Sequence, residues 1–265
     1  MAQGARDNGI LVPFSCQFRA MLKAVTFDLW QTLILDTPEG LRRARAGRVR
    51  GIHEALSRHG LVADPDAVER AYDAVGPRLE TVWATRRDVG PRGQVRLLLE
   101  CLRLDGAVSA EGALMDALEE AYCLPILSAM PILNAGARDV LETLQGRGLR
   151  LALICNTGRT PGRMLRLVLD RLGVACSLTA LSFSDEVGLR KPRPEIFHRT
   201  LSALGVAPVE AVHVGDDVTT DVAGARAVGM RAIHLCHPAS VSQHSDGAES
   251  IPSLHALPGI LFSIH

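Results

Sequence analysis

The spacing of apolar residues changes character twice along the chain. Residues 22–29 (LKAVTFDL) form a short apolar run rich in β-branched residues, which predicts a buried strand. From about Thr37 to Leu127 the spacing becomes helical. Leu41–His59 is amphipathic and rich in arginine, and residues 64–87 open on Asp64-Pro65, a helix-start signal. Residues 93–104 and 109–124 predict two more helices, and no strand-like alternation interrupts this stretch. After Pro131 strands and helices take turns. Helices are predicted over 135–146, 161–172, 194–204 and 221–228, and strands over 149–155, 178–183, 211–214 and 231–235. Residues 237–250 read as a polar loop and 252–261 as a short closing helix. Such alternation implies βαβ units, hence an α/β fold: a Rossmann-like, doubly wound parallel sheet with an inserted α-helical cap.

The expected organisation is a core domain made of residues 21–36 and 128–265, with a cap domain over 37–127. Residues 1–20 read as a disordered leader. Their apolar patch, Ile10–Phe14, lacks a basic start and is broken by Pro13, so it is a poor signal peptide. No apolar run approaches the roughly 18 residues of a membrane-spanning helix, so no membrane partner is expected.

Composition narrows the function classes. Apolar residues are 47% of the 265, enough for a sizeable core, which excludes disordered and fibrous classes. The 29 basic and 29 acidic side chains cancel, leaving no electrostatic footprint for nucleic acid. None of the six cysteines forms a CxxC pair, a pattern of reduced thiols that suits the cytoplasm. Of the basic residues 27 are arginine, and the only lysines are Lys23 and Lys191. A lysine in this chain therefore has a reason to be one.

In an open parallel sheet, ligands bind beyond the carboxyl ends of the strands. Asp28 follows the first strand, and Cys155, Asn156 and Thr157 follow the second. Lys191 lies in Gly188-Leu189-Arg190-Lys191-Pro192, and Gly215-Asp216-Asp217 follows a later strand with Asp221 one turn on. Carboxylates gathered on one edge repel each other unless a cation sits among them. Hard oxygen ligands point to Mg²⁺ as the cofactor.

These motifs, FDLWQTL (27–33), ICNTG (154–158), GLRKPRPEIF (188–197) and HVGDDVTTDVAGARAVGM (213–230), resemble the haloacid dehalogenase superfamily, in its phosphatase-like branch with a helical cap. The resemblance spans about residues 22–262. It implies a Mg²⁺-dependent phosphohydrolase acting on a small phosphorylated metabolite. Asp28 would be the nucleophile, forming an aspartyl-phosphate, and Lys191 would neutralise Asp28 and the phosphoryl group. Asp216, with Asp217, Asp221, Asp28 and the backbone carbonyl of Trp30, would hold the metal. Groups at Cys155, Asn156 and Thr157 would hold phosphoryl oxygens, with Trp30 as a wall of the substrate pocket.

Two positions depart from the pattern. Phosphatases of this family carry an acid-base Asp two residues after the nucleophile, where this chain has Trp30. They carry Ser or Thr where this chain has Cys155. Two alternatives stay open: a metal-independent 2-haloacid dehalogenase, and a catalytically impaired binding protein of the same fold. Arg42, Arg43, Arg45, Arg48 and Arg50 read as a solvated helix face, and are the best cap-side candidate for substrate charge. His234, His237 and His244 read as solvated or loop histidines, and Cys155 as a small buried hydrophobe. Substrate identity and oligomeric state are not legible.

Overall fold

The structure is a computed structural model that describes residues 22–109, 111–236 and 249–262. The leader lies outside the described residues, as do His237 and His244. Six parallel strands form the central sheet: β1 (Ala24–Phe27), β4 (Arg150–Cys155), β5 (Ala180–Phe183), β6 (Ala211–Gly215), β7 (Arg231–Leu235) and β8 (Glu249–Ile251), in the order β5-β4-β1-β6-β7-β8. Beyond β1 the chain extends the sheet first on one side and then on the other, so β1 lies at the reversal of strand order. A ligand crevice is therefore expected at the carboxyl ends of β1, β4 and β6.

Both faces of the sheet are covered, and strand periodicity divides the residues between them. Val25, Phe27, Leu151, Leu153 and Val212 join one apolar core with α5 (Ala137–Gly146) and α6 (Gly162–Arg171). Ala24, Ala152 and Ile154 face the other way, against α8 (Pro194–Leu204) and α9 (Gly224–Ala227). The short helix α7 (Ser184–Val187) follows β5, and α10 (Leu257–Phe262) closes the chain.

The cap consists of α1 (Pro38–Arg58), α2 (Pro65–Ala84), α3 (Gly90–Cys101) and α4 (Ala113–Cys123). Local sequence explains where its helices begin. Thr37 caps α1 by accepting the Gly40 N–H at 3.0 Å, and Asp64 caps α2 through the Asp66 N–H at 3.3 Å, each ahead of a proline at the first helical position. The four helices bury their own core around Leu56, Leu79, Leu98, Leu118 and Tyr122. No helix of the described residues is long and apolar enough to cross a membrane.

Some local expectations need correction. Residues 249–251 form an edge strand where a loop was expected; three residues with only Ile251 buried carry no readable alternation. A two-stranded antiparallel pair, β2 (Ile34–Leu35) with β3 (Ile132–Leu133), joins core to cap and is too short to show a period. The helix expected over 221–228 is a π-helical turn, Val218–Ala223, running into α9.

Cap and core are also tied by polar contacts near residue 190. The Asp88 carboxylate, fully buried, accepts hydrogen bonds from Arg190 Nη1 at 2.6 Å, Ser184 Oγ at 2.6 Å and Thr157 Oγ1 at 3.3 Å. The Arg190 guanidinium also lies 4.3 Å from the Trp83 ring centroid. Removing one partner of a buried ion pair strands the other charge. Asp88→Ala is therefore expected to cost about 3 kcal/mol, read as a lowered midpoint of urea unfolding.

Candidate active site

Asp28 leaves the end of β1 with its backbone N–H donating to Val214 O at 2.9 Å. It is 7% exposed. The ammonium of Lys191, 2% exposed, lies 2.5 Å from Asp28 Oδ1 and 2.6 Å from Asp221 Oδ1. Lys191 is thus a point charge set between two carboxylates. Burial penalises its charge, but Asp221 and Asp28 outweigh that and hold its pKa above the usual lysine range. Burial, with Asp221 and Asp216 nearby, pushes Asp28 up to about 7 although Lys191 opposes it. Burial acts the same way on Asp221, but there Lys191 and His213 win and its pKa stays below the carboxylate range.

Each part of this triad is held from behind. Asn156 clasps the backbone of Lys191, accepting its N–H at 2.7 Å and donating to its carbonyl at 3.1 Å. Asp221 receives the Asp217 N–H on Oδ2 at 3.1 Å, and His213 Nε2 lies 3.3 Å from Oδ1. Burial lowers the His213 pKa although Asp221 opposes it. A carboxylate only accepts, so Nε2 carries a proton, and Nδ1 lies 2.8 Å from Thr26 Oγ1. His234 Nε2 donates to the Asp216 carbonyl at 2.9 Å.

Asp28, Asp216 and Asp221 each present a carboxylate oxygen within 4.8 Å of the others. These three clustered carboxylates form an oxygen-only, anionic donor set that suits a hard dication. Asp221 already has both oxygens engaged, so Asp28 and Asp216 are better placed to hold an ion directly.

Two expected site residues have side chains engaged by other partners. Asp217 Oδ1 accepts the N–H groups of Thr219 and Thr220 at 2.9 and 2.6 Å, so its carboxylate caps the turn and stands outside the acidic cluster. The Thr157 hydroxyl is bound to Ser184 and Asp88. Cys155 is fully buried in the apolar core, and burial pushes its thiol well above the usual range. Trp30 and Asn156 do reach the mouth of the site, lining a cavity of about 490 Å³ between core and cap.

His213 is not among the site residues expected from the sequence, yet a histidine inside the apolar run AVHV is a signal for it. His234, expected to be a solvated or loop histidine, is instead buried and fixes the backbone of Asp216. Arg48, expected on a solvated face, is 6% exposed, whereas Arg42, Arg43 and Arg50 do face solvent.

A family model for haloacid dehalogenase-like hydrolases matches residues 22–229. The chain belongs to the haloacid dehalogenase-like hydrolases. As a hydrolase of this family it is 36% identical to the ribulose-1,5-bisphosphate 5-phosphatase of Halopiger xanaduensis, over 87% of this chain and 90% of that one. It is 32% identical to the phosphoserine phosphatase of Thermus thermophilus, over 80% and 88%. Its fold is similar to that of a 2-haloacid dehalogenase from Pseudomonas syringae, with a TM-score of 0.65, 24% identity and coverage of 91% and 98%.

Gly215 connects this family geometry to one backbone requirement. A methyl group added there would overlap the Asp221 carboxylate. Gly215→Ala must displace Asp221, and with it the second partner of Lys191. The expected cost is about 1–3 kcal/mol in chemical denaturation, as for other overpacked sites, with a loss of turnover of about 100-fold.

Proposed function

We propose that this hydrolase is a Mg²⁺-dependent phosphohydrolase that removes phosphate from a small phosphorylated metabolite through a phosphorylated Asp28. The observation carrying this reading is the buried Lys191 ammonium ion-paired to Asp28, with Asp216 and Asp221 clustered beside it. The phosphatases among its relatives support it.

Asp28 attacks phosphorus, the P–O bond to the alcohol breaks, and an acyl phosphate forms on the Asp28 carboxylate. Water then attacks this phosphoryl group, releasing inorganic phosphate and restoring the carboxylate. Lys191 stays within reach of Asp28 throughout and offsets the charge gathering on the transferring oxygens; in many enzymes such charge stabilisation accounts for most of the rate enhancement. Asp221 and Asn156 keep that ammonium in place. Asp28 and Asp216 would hold Mg²⁺, which supplies further charge neutralisation at the phosphoryl oxygens and favours ionised Asp28.

Trp30 occupies the position of the usual acid-base carboxylate, and an indole transfers no proton there. Its ring packs against Ile126, Met164 and Val168 and borders the cavity. A positioned general acid or base contributes about 10²–10⁴-fold. Leaving groups therefore depart unprotonated in this reading, and aryl or acyl phosphates should far outrun alkyl phosphates.

The deciding experiment is phosphate release across a series of aryl and alkyl phosphates, with Mg²⁺ and with EDTA. A steep dependence on leaving-group pKa and a rapid-quench burst of phosphoenzyme are expected. Trp30→Asp should flatten the dependence and shrink the burst. Turnover of 2-haloacids that EDTA leaves untouched would favour dehalogenation instead. Asp216→Asn should remove most Mg²⁺-dependent activity. Lys191→Arg should lower kcat/KM at least about tenfold, because a planar fork does not replace a point charge between two carboxylates.

A further inference from the structure

The cavity between cap and core carries arginines that the catalytic chemistry does not use. Arg48 comes from α1 of the cap and Arg159 from the loop after β4, and both line it. Arg48 donates Nε to the Tyr122 carbonyl at 2.9 Å, Nη2 to Thr160 Oγ1 at 2.9 Å and Nη1 to the Tyr72 hydroxyl at 3.4 Å. Arg159 donates to the Tyr122 hydroxyl at 3.0 Å and the Tyr72 carbonyl at 3.1 Å, with its guanidinium 4.2 Å from the Tyr72 ring centroid. Every one of these acceptors is neutral. Among the described residues, no carboxylate forms an ion pair with either guanidinium, whereas Arg45 at the same cavity is paired with Asp73 and Glu69. Asp36 and Asp73 also line the cavity, and act on Arg48 and Arg159 only from beyond ion-pair distance.

A tether between cap and core requires hydrogen bonds, which a neutral side chain would supply. A buried guanidinium without a carboxylate, that of Arg48, is costly, and the half-buried Arg159 beside it at one cavity completes a site suited to an anion. Their planar forks match carboxylate and phosphate oxygens. Trp30 and Asn156 line the same cavity, and Asn156 holds the backbone of Lys191, which ties these arginines to the space a substrate would fill.

We propose that Arg48 and Arg159 form a specificity subsite for a second anionic group, so that the substrate is a small phosphate ester bearing a carboxylate or a second phosphate at its far end. This rests on the phosphohydrolase reading for the identity of the ester end, but not for the subsite itself.

The test is calorimetric titration of the protein, with Mg²⁺ present, using 3-phosphonopropionate, propane-1,3-diphosphonate and propylphosphonate. These compounds share a phosphonate end and differ in the tail, and none requires turnover. One or both acid-tailed compounds should bind at least tenfold more tightly than propylphosphonate, and which one does so separates carboxylate from phosphate. Arg159→Met should reduce that preference to less than about threefold. Arg48→Gln, which keeps donors but loses the charge, should do likewise where circular dichroism shows it folded. Equal binding of all three compounds overturns the proposal, as does a preference that survives Arg159→Met or an absence of binding by all three. Phosphate release from simple esters alongside equal binding would remove the subsite and leave the phosphohydrolase reading standing. An acid-tail preference alongside no phosphate release from any ester would do the reverse.

Discussion

One buried ammonium organises this molecule. Lys191 sits 2.5 Å from Asp28 and 2.6 Å from Asp221, and it is almost wholly removed from water. A cation and carboxylates placed so deep are costly, and the arrangement persists only because each group is satisfied on several sides. Asn156 fixes the lysine backbone, His213 and the Asp217 N–H fix Asp221, and His234 fixes Asp216. Three strand ends bring these parts together, so the parallel sheet is the device that holds the charges at their separations.

The same electrostatics explains why the site is poised for chemistry. With its pKa pushed up to about 7, Asp28 is held in an environment that disfavours its own charge. A dication or other cation beside it would favour the carboxylate. Strain of this kind is tolerated where function needs it, and the apolar cores on both sheet faces supply the stability that the site does not.

The cap is a separately cored unit that contributes charge to the cavity as well as shape. Its own apolar cluster supports the helices from which Arg48 and Tyr72 line the cavity together with Trp30 and Asn156. The buried Asp88–Arg190 pair joins it to the core one residue from Lys191. Cap position and lysine position are thereby mechanically linked.

The chain by itself determined the alternation of strands and helices, the long helical stretch, and the chemistry-bearing residues at the strand ends. Period-2 and helical burial patterns are local, and a scarce lysine in a chain of arginines is visible without coordinates. Asp28, Asp216, Asp221 and Lys191 were therefore legible. What only the tertiary structure decided was direction. Asp217 and Asp221 look alike in the sequence, yet a helical turn aims one at backbone N–H groups and the other at Lys191. Thr157 follows the right strand, but its hydroxyl turns toward the cap contact. Arg48 sits in an ordinary arginine-rich helix face, and its burial depends on Tyr122 and Thr160, residues 74 and 112 positions away. Side-chain direction and long-range burial arise from packing between distant segments, which no local pattern encodes.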